Sequence, residues 1–160
     1  MKKLLLAICL IAGFLVAACD GDEIFDEDAQ LATDIALIEQ FLDANALEAD
    51  TLLPSQIRII TYDEGVGNKA DFGATVVTYY SGYLLDGTEF DSNEDGSPID
   101  FVVDRGDVVR GWDIAIKELA KGGRATIFLP SQYGYGNQGF GSNIPPNSVL
   151  VFDITVVDIR

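Results

Sequence analysis

The sequence predicts an α+β domain, with an antiparallel β-sheet wrapped across one short helix and a separate N-terminal helix ahead of it. Three observations carry this. Apolar, β-rich runs at 56–62, 74–85, 99–103, 124–129 and 149–159 are separated by turn-forming clusters such as Asp63-Glu64-Gly65-Val66-Gly67 and Asp86-Gly87. Between them only Trp112 to Ala120 has a helical pattern, and Lys121-Gly122-Gly123 stops it. Ahead of them Leu31, Ile35, Ile38 and Leu42 recur at spacings of four and three, with Phe41 beside them, which is one face of an amphipathic helix from about Gln30 to Ala46.

Taken in order, Lys2 and Lys3 precede an apolar run, Leu4 to Ala18, that is short for a bilayer span and ends in Val16-Ala17-Ala18-Cys19. Residues 1–18 therefore read as a secretory signal closing in a lipobox, with Cys19 as the acylated first residue of the processed chain. This places the protein at the cell envelope, lipid-anchored and extracytoplasmic. Residues 19–29, including Asp20-Gly21-Asp22-Glu23, form an acidic tether with little to bury. Residues 30–53 are the N-terminal helical segment, whose apolar stripe packs within the chain or serves a dimer or client face. Pro54 and Ser55 then open the β-rich domain, 54–160.

Ile57, Ile59 and Ile60 mark the first strand of that domain. Asp86-Gly87 is a hairpin signal for the long run before it. The last strand is preceded by a loop, Tyr133 to Ser148, that spends Tyr135, Phe140 and Ile144 among four glycines and two prolines. A merely solvated connection has no use for such side chains, so they line something.

Composition excludes much. The chain has 26 acidic and 10 basic side chains, a formal net charge of −16, no histidine and two cysteines. The charge repels nucleic acid phosphates and anionic membrane surfaces. Without histidine there is no Ser-His-Asp or Cys-His catalysis and no His-containing zinc site. Cys9 leaves with the signal and Cys19 is acylated, so no disulfide remains. Two motif matches fail on context. Gly134-Tyr135-Gly136-Asn137-Gln138-Gly139 fits a dinucleotide fingerprint but opens no helix, and the calcium-loop pattern starting at Asp91 has Val102 where a bidentate Glu belongs. No metal or cofactor is expected.

Three separate blocks share an order. They are Thr78-Tyr-Tyr-Ser-Gly-Tyr-Leu-Leu-Asp-Gly-Thr-Glu-Phe-Asp-Ser92, then Val108-Val-Arg-Gly-Trp112, then Tyr133-Gly-Tyr-Gly with Ile144-Pro-Pro-Asn-Ser-Val-Leu-Val-Phe-Asp153. Together they resemble FKBP-type peptidyl-prolyl isomerases across most of Ile57–Arg160. The resemblance implies a shallow aromatic basin floored by Trp112, lined by Tyr80, Phe90, Asp91, Ile99, Val108 and Val109, and closed by Tyr135, Phe140, Ile144 and Phe152. It implies Asp91, Tyr135 and Tyr80 as the catalytic groups, proline-containing segments of folding proteins as partners, and the family's macrolide inhibitors as a further ligand class. Three departures stand out: Ile99 where many members have Phe, Phe140 where His is common, and no Arg after Phe90-Asp91 to pair with the Asp. They motivate an alternative reading, a weakly active chaperone or binding module that keeps the basin.

Overall fold

The computed structural model describes residues 26–160. The expected signal peptide, Cys19 and residues 19–25 of the tether lie outside the described residues. Asp26 caps helix α1 (Glu27–Ala44): its carboxylate accepts from the backbone N–H groups of Asp28 and Ala29, each at 3.1 Å. Glu27 and Asp28 in the first turn suit the positive end of the helix dipole. The helix therefore begins three residues before the expected Gln30. It stops short of Ala46, which has φ of 52° and follows the C-cap Asn45, whose amide bonds to the Phe41 carbonyl.

The segment 30–53 is not helical throughout. Strand β1 (Asp50–Leu52) pairs antiparallel with β2 (Ile57–Asp63). Asp-Thr-Leu is too short to show a period of two, so no alternation signalled it. The chain continues with β3 (Thr75–Leu84), β4 (Glu89–Ser92), β5 (Ile99–Val102), α2 (Arg110–Ala115), β6 (Arg124–Leu129) and β7 (Leu150–Ile159). The expected helix from Trp112 to Ala120 starts earlier, at Arg110, and tightens into a 3₁₀ turn over Ile116–Glu118.

The seven strands form one antiparallel sheet in the order β1-β2-β6-β7-β3-β4, with β5 also paired to β3. β3 lies against β7 along its length. On its other side its first half pairs with β5 and its second half with β4. Alternation then sorts the side chains onto two faces. Val76, Ile127, Phe152 and Ile154 face α2 and share a core with Trp112, Ile116 and Leu119. Phe128, Val149 and Val151 face the other way and bury Ile38 and Leu42 of α1.

Of the apolar stripe of α1, Leu31 and Ile35 stay partly exposed, and it is Ile38 and Leu42 that are buried inside the chain. Fully burying each of these two side chains contributes about 1.5–3 kcal/mol. Glu39 adds an ion pair to Arg58 of β2 at 2.7 Å, with the Glu39 side chain half exposed. Such a pair contributes little by itself. Among the described residues no helix is long and apolar enough to cross a membrane.

Candidate active site

The site is built where α2 meets the β3 side of the sheet. On β3 the core-facing positions run Val76, Thr78, Tyr80, Gly82, so Tyr80 reaches toward α2 from the same face as the core. Gly82 is required by space: a Cβ there would lie 2.7 Å from the Phe90 ring and 2.9 Å from the Phe152 ring. Its absence lets those rings meet edge to face, with centroids 5.5 Å apart.

In a regular strand the neighbours Phe90 and Asp91 point to opposite faces. Here the pairing of β3 with β4 shifts register between Gly82 and Tyr83, and both residues line the basin. Asn93 holds this arrangement. Its Oδ1 accepts from the Tyr80 backbone N–H at 2.7 Å, and its Nδ2 donates to the carbonyls of Thr78 and Ser97.

Trp112 is the floor. The indole is 3% exposed, and Tyr80, Phe101 and Phe152 meet it edge on at 5.1, 5.6 and 5.3 Å. α2 presents it directly because Val109 is the extended N-cap residue, whose carbonyl accepts from the Trp112 N–H at 2.9 Å. The basin has a volume of about 200 Å³. It brings together Tyr80, Phe90, Asp91, Ile99, Val108, Val109, Trp112, Tyr135 and Phe152 from the sequence-based set.

Phe140 and Ile144 are placed differently from the expectation that they close this basin. They line an adjoining hollow of about 380 Å³, which shares Phe90, Asp91 and Tyr135 with it. The loop reverses between them, with reciprocal backbone bonds Phe140 N to Ile144 O at 2.8 Å and Ile144 N to Phe140 O at 3.1 Å. Gly139 has φ of 65°, and a Cβ there would collide with the Ile144 carbonyl. Ile144 turns inward and is buried, whereas Phe140 is 63% exposed and stacks on Tyr135 at 4.9 Å. The pair makes an aromatic shelf between the two depressions.

The polar groups converge on Asp91. The Tyr80 hydroxyl donates to Asp91 Oδ2 at 2.6 Å, so this carboxylate has a tyrosine partner although the arginine common in the family is absent from the sequence. Burial, with the Asp91 hydrogen bond and charge behind it, pushes the Tyr80 hydroxyl far above its ordinary value. Burial, and then the Asp91 charge, also raise that of Tyr135. Both phenols therefore remain protonated donors at neutral pH.

Two neighbours escaped the sequence reading. Asp107 lines the basin while its Oδ2 accepts from the Val102 N–H at 3.0 Å. Phe101 packs on the Trp112 indole. Asp107 lacked a signal because it is one of many acidic residues in loops. The partnership of Phe101 with Trp112 depends on how β5 pairs with β3, which no local pattern shows.

A larger hollow, about 420 Å³, lies on the opposite sheet face and is lined by groups such as Arg124, Asp153 and Glu94. Those charges do not suit a prolyl ring. The aromatic basin does.

The chain belongs to the FKBP-type peptidyl-prolyl cis-trans isomerase family, whose model it matches over residues 67–157, more than half its length. It is 41% identical over 89 residues to the peptidyl-prolyl cis-trans isomerase Fkbp12 of Drosophila melanogaster, covering 55% of this chain and 82% of that one. A probable FKBP-type peptidyl-prolyl cis-trans isomerase of Haemophilus influenzae is 40% identical over 97 residues, covering 60% and 39% of the two chains. FK506-binding protein 4 of Neurospora crassa is 38% identical over 104 residues, which is 63% of this chain but only 22% of that relative. Among solved structures, FkpA from Escherichia coli superposes with a TM-score of 0.70 at 32% identity, covering 83% of this chain and 62% of that one.

Proposed function

We propose that this protein accelerates cis–trans isomerisation of Xaa-Pro bonds in proteins folding outside the cytoplasm, held at the cell envelope by a lipid on Cys19. The observation that carries the reading is the aromatic basin on Trp112 with the Tyr80–Asp91 pair and Tyr135 at its edge. Family membership supports the reaction. The Ala17-Ala18-Cys19 sequence supports the address.

The reaction needs neither nucleophile nor cofactor. Amide resonance sets a barrier of about 18–20 kcal/mol, and uncatalysed exchange takes tens to hundreds of seconds, roughly. The planar amide is the more polar form and the better hydrated one. A prolyl ring set against Trp112, Phe90 and Phe152 carries its amide out of water, so planarity loses solvation that the twisted state needs less. Tyr135 supplies a protonated hydroxyl to the substrate carbonyl, while Asp91, fixed by Tyr80, faces the rotating carbonyl carbon. These contacts stabilise the twisted amide more than either planar isomer. Macrolides that present a ring of similar size and polarity are competing ligands.

Refolding of a secreted protein whose slow phase is limited by proline tests the reading. The slow phase should accelerate with the parent, and Asp91→Ala and Phe90→Ala should abolish most of that effect. A folded parent that leaves the phase unchanged overturns the activity. Cell fractionation tests the address, since Cys19→Ala should release the protein from membranes. Equal membrane retention of that variant contradicts the lipid anchor.

A second reading rests on the exposed rim. Ile99 and Phe140, 37% and 63% exposed, leave apolar surface beside the basin suited to holding unfolded chains. Suppression of client aggregation that survives Asp91→Ala in full favours this binding role over turnover.

A further inference from the structure

The most buried carboxylate in the described chain lies outside the basin. Asp34 of α1 is fully buried, at 0% exposure, and its Oδ2 accepts from both the backbone N–H and the hydroxyl of Ser131, at 2.7 and 2.6 Å. Its Oδ1 accepts from Gln30 one turn earlier, at 2.7 Å. No Lys or Arg among the described residues pairs with it. A buried carboxyl group whose oxygens are held only by neutral donors is costly to disturb, because each donor is left buried without its acceptor.

Packing does not explain it, because the apolar contacts of α1 are made further along the helix by Ile38 and Leu42. What Asp34 holds is the root of the site loop. Ser131, 1% exposed, opens the 3₁₀ turn Ser131–Tyr133 one residue after β6, and Tyr135 follows two residues after the end of that turn. Gly134 lies between them with its Cα close against Leu150, where a Cβ would be 2.7 Å from Leu150 Cδ1. Little slack separates the clamp from the catalytic phenol. On the other side of the turn, Arg110 lies over the Tyr133 ring at 5.4 Å and begins α2, the helix that carries Trp112. Around the clamp, α1 and the loop are otherwise parted by a hollow of about 240 Å³ bordered by Glu27, Gln30 and Gln132.

We propose that Asp34 is a positioning residue for the isomerase site, acting through Ser131 to fix the loop that carries Tyr135, so that the N-terminal helix is a working part of the catalytic unit. This rests on the proposed isomerase activity, and concerns how the site is held rather than what it does.

Three variants of the full chain separate the possibilities. Asp34→Ala leaves the Ser131 N–H and hydroxyl buried without their acceptor. Amide hydrogen exchange across 134–144 should then speed up about tenfold or more while that of 125–129 and 151–156 stays near parent rates, and kcat/KM on an Xaa-Pro peptide should fall about tenfold. Asp34→Asn keeps one oxygen for both Ser131 donors, and Gln30 can turn its amide to accept from the new nitrogen. That variant should return both readouts to within about twofold of the parent. Ser131→Ala removes one donor and should give an intermediate effect, which keeps the test open if Asp34→Ala fails to fold.

Parent-like loop exchange in both Asp34→Ala and Ser131→Ala overturns the proposal. So does faster exchange with unchanged turnover, or exchange that rises equally throughout the domain, the mark of a merely stabilising role. A parent with no turnover overturns the isomerase reading but leaves the clamp to be decided by the loop's exchange rates alone.

Discussion

Gly82→Ala probes the site from beneath. The added Cβ would stand 2.7 Å from Phe90 Cε2 and Cζ and 2.9 Å from Phe152 Cε1, whereas ordinary contacts begin at 3.4 Å. The Phe90 ring must retreat by about 0.7 Å, into the basin that it lines, and the Phe152 ring by about 0.5 Å, although Phe152 already packs edge to face on Trp112 at 5.3 Å. Overpacking of this kind costs about 1–3 kcal/mol. For a chain of this size that is a fall in Tm of roughly 2–12 °C.

Because the displaced rings are the walls of the basin, activity should fall further than stability, by about tenfold or more in kcat/KM below the transition. Gly96→Ala is the control. Its Cβ meets only the Asn93 carbonyl at 3.5 Å, and both readouts should stay near the parent. Thermal unfolding followed by circular dichroism gives the first readout and peptide exchange the second. A folded Gly82→Ala protein with parent Tm and parent turnover would refute the packing on which the basin depends.

Other expectations concern the polar edge. Tyr80→Phe and Asp91→Ala should each lower kcat/KM, and the double variant should be little worse than the worse single one, because each removes the same 2.6 Å hydrogen bond. Additive losses in this cycle contradict a joint role. Alkaline titration followed by tyrosine absorbance should show the Tyr80 and Tyr135 phenols ionising above the ordinary value of 10.0, and Tyr80→Phe should delete one late-titrating group. Activity should accordingly show no alkaline loss from these groups between neutrality and that value. Asp113, nearly buried while accepting from the Asp104 N–H at 2.8 Å, has its carboxyl pushed up chiefly by burial. Its folded form thus holds a proton more tightly than the unfolded chain, whose value is 3.8, and stability contributed by that proton is lost as pH rises through the folded value. Denaturant titrations of Asp113→Asn should show a shallower fall in stability above pH 3.8 than the parent. An unchanged slope removes Asp113 as the cause.

Much of this was legible because short-range chemistry dictated it. Trp112 sits where an Arg-Gly-Trp sequence starts a helix, and Asp86-Gly87 turns β3 into β4, so both could be read from neighbouring residues. Of the aromatic set only Tyr135 and Phe140 stood out by themselves, as large apolar side chains in a glycine-rich loop, whereas Tyr80, Phe90, Trp112 and Phe152 were legible as a basin through the resemblance to FKBP-type isomerases and otherwise read as ordinary core. What escaped depends on residues distant in the chain. Asp34 looked like one acidic residue among 26, and only the fold brings it to Ser131, 97 positions away. The register shift that turns Phe90 and Asp91 to one side belongs to the pairing of two strands rather than to either strand alone. Phe140 was expected to close the basin, and its stacking on Tyr135 beside the basin instead follows from the Gly139 reversal.

NMR exchange spectroscopy on a short Xaa-Pro peptide, with and without the purified chain, meets the central assignment most directly because it measures isomerisation and the residues touched in one sample. The parent should accelerate exchange and shift the Trp112 indole and Tyr135 resonances, and Asp91→Ala and Phe90→Ala should lose most of the acceleration while remaining folded. Acceleration that survives both substitutions, or a folded parent that binds the peptide elsewhere without speeding its exchange, would contradict the assignment of isomerase activity to this basin.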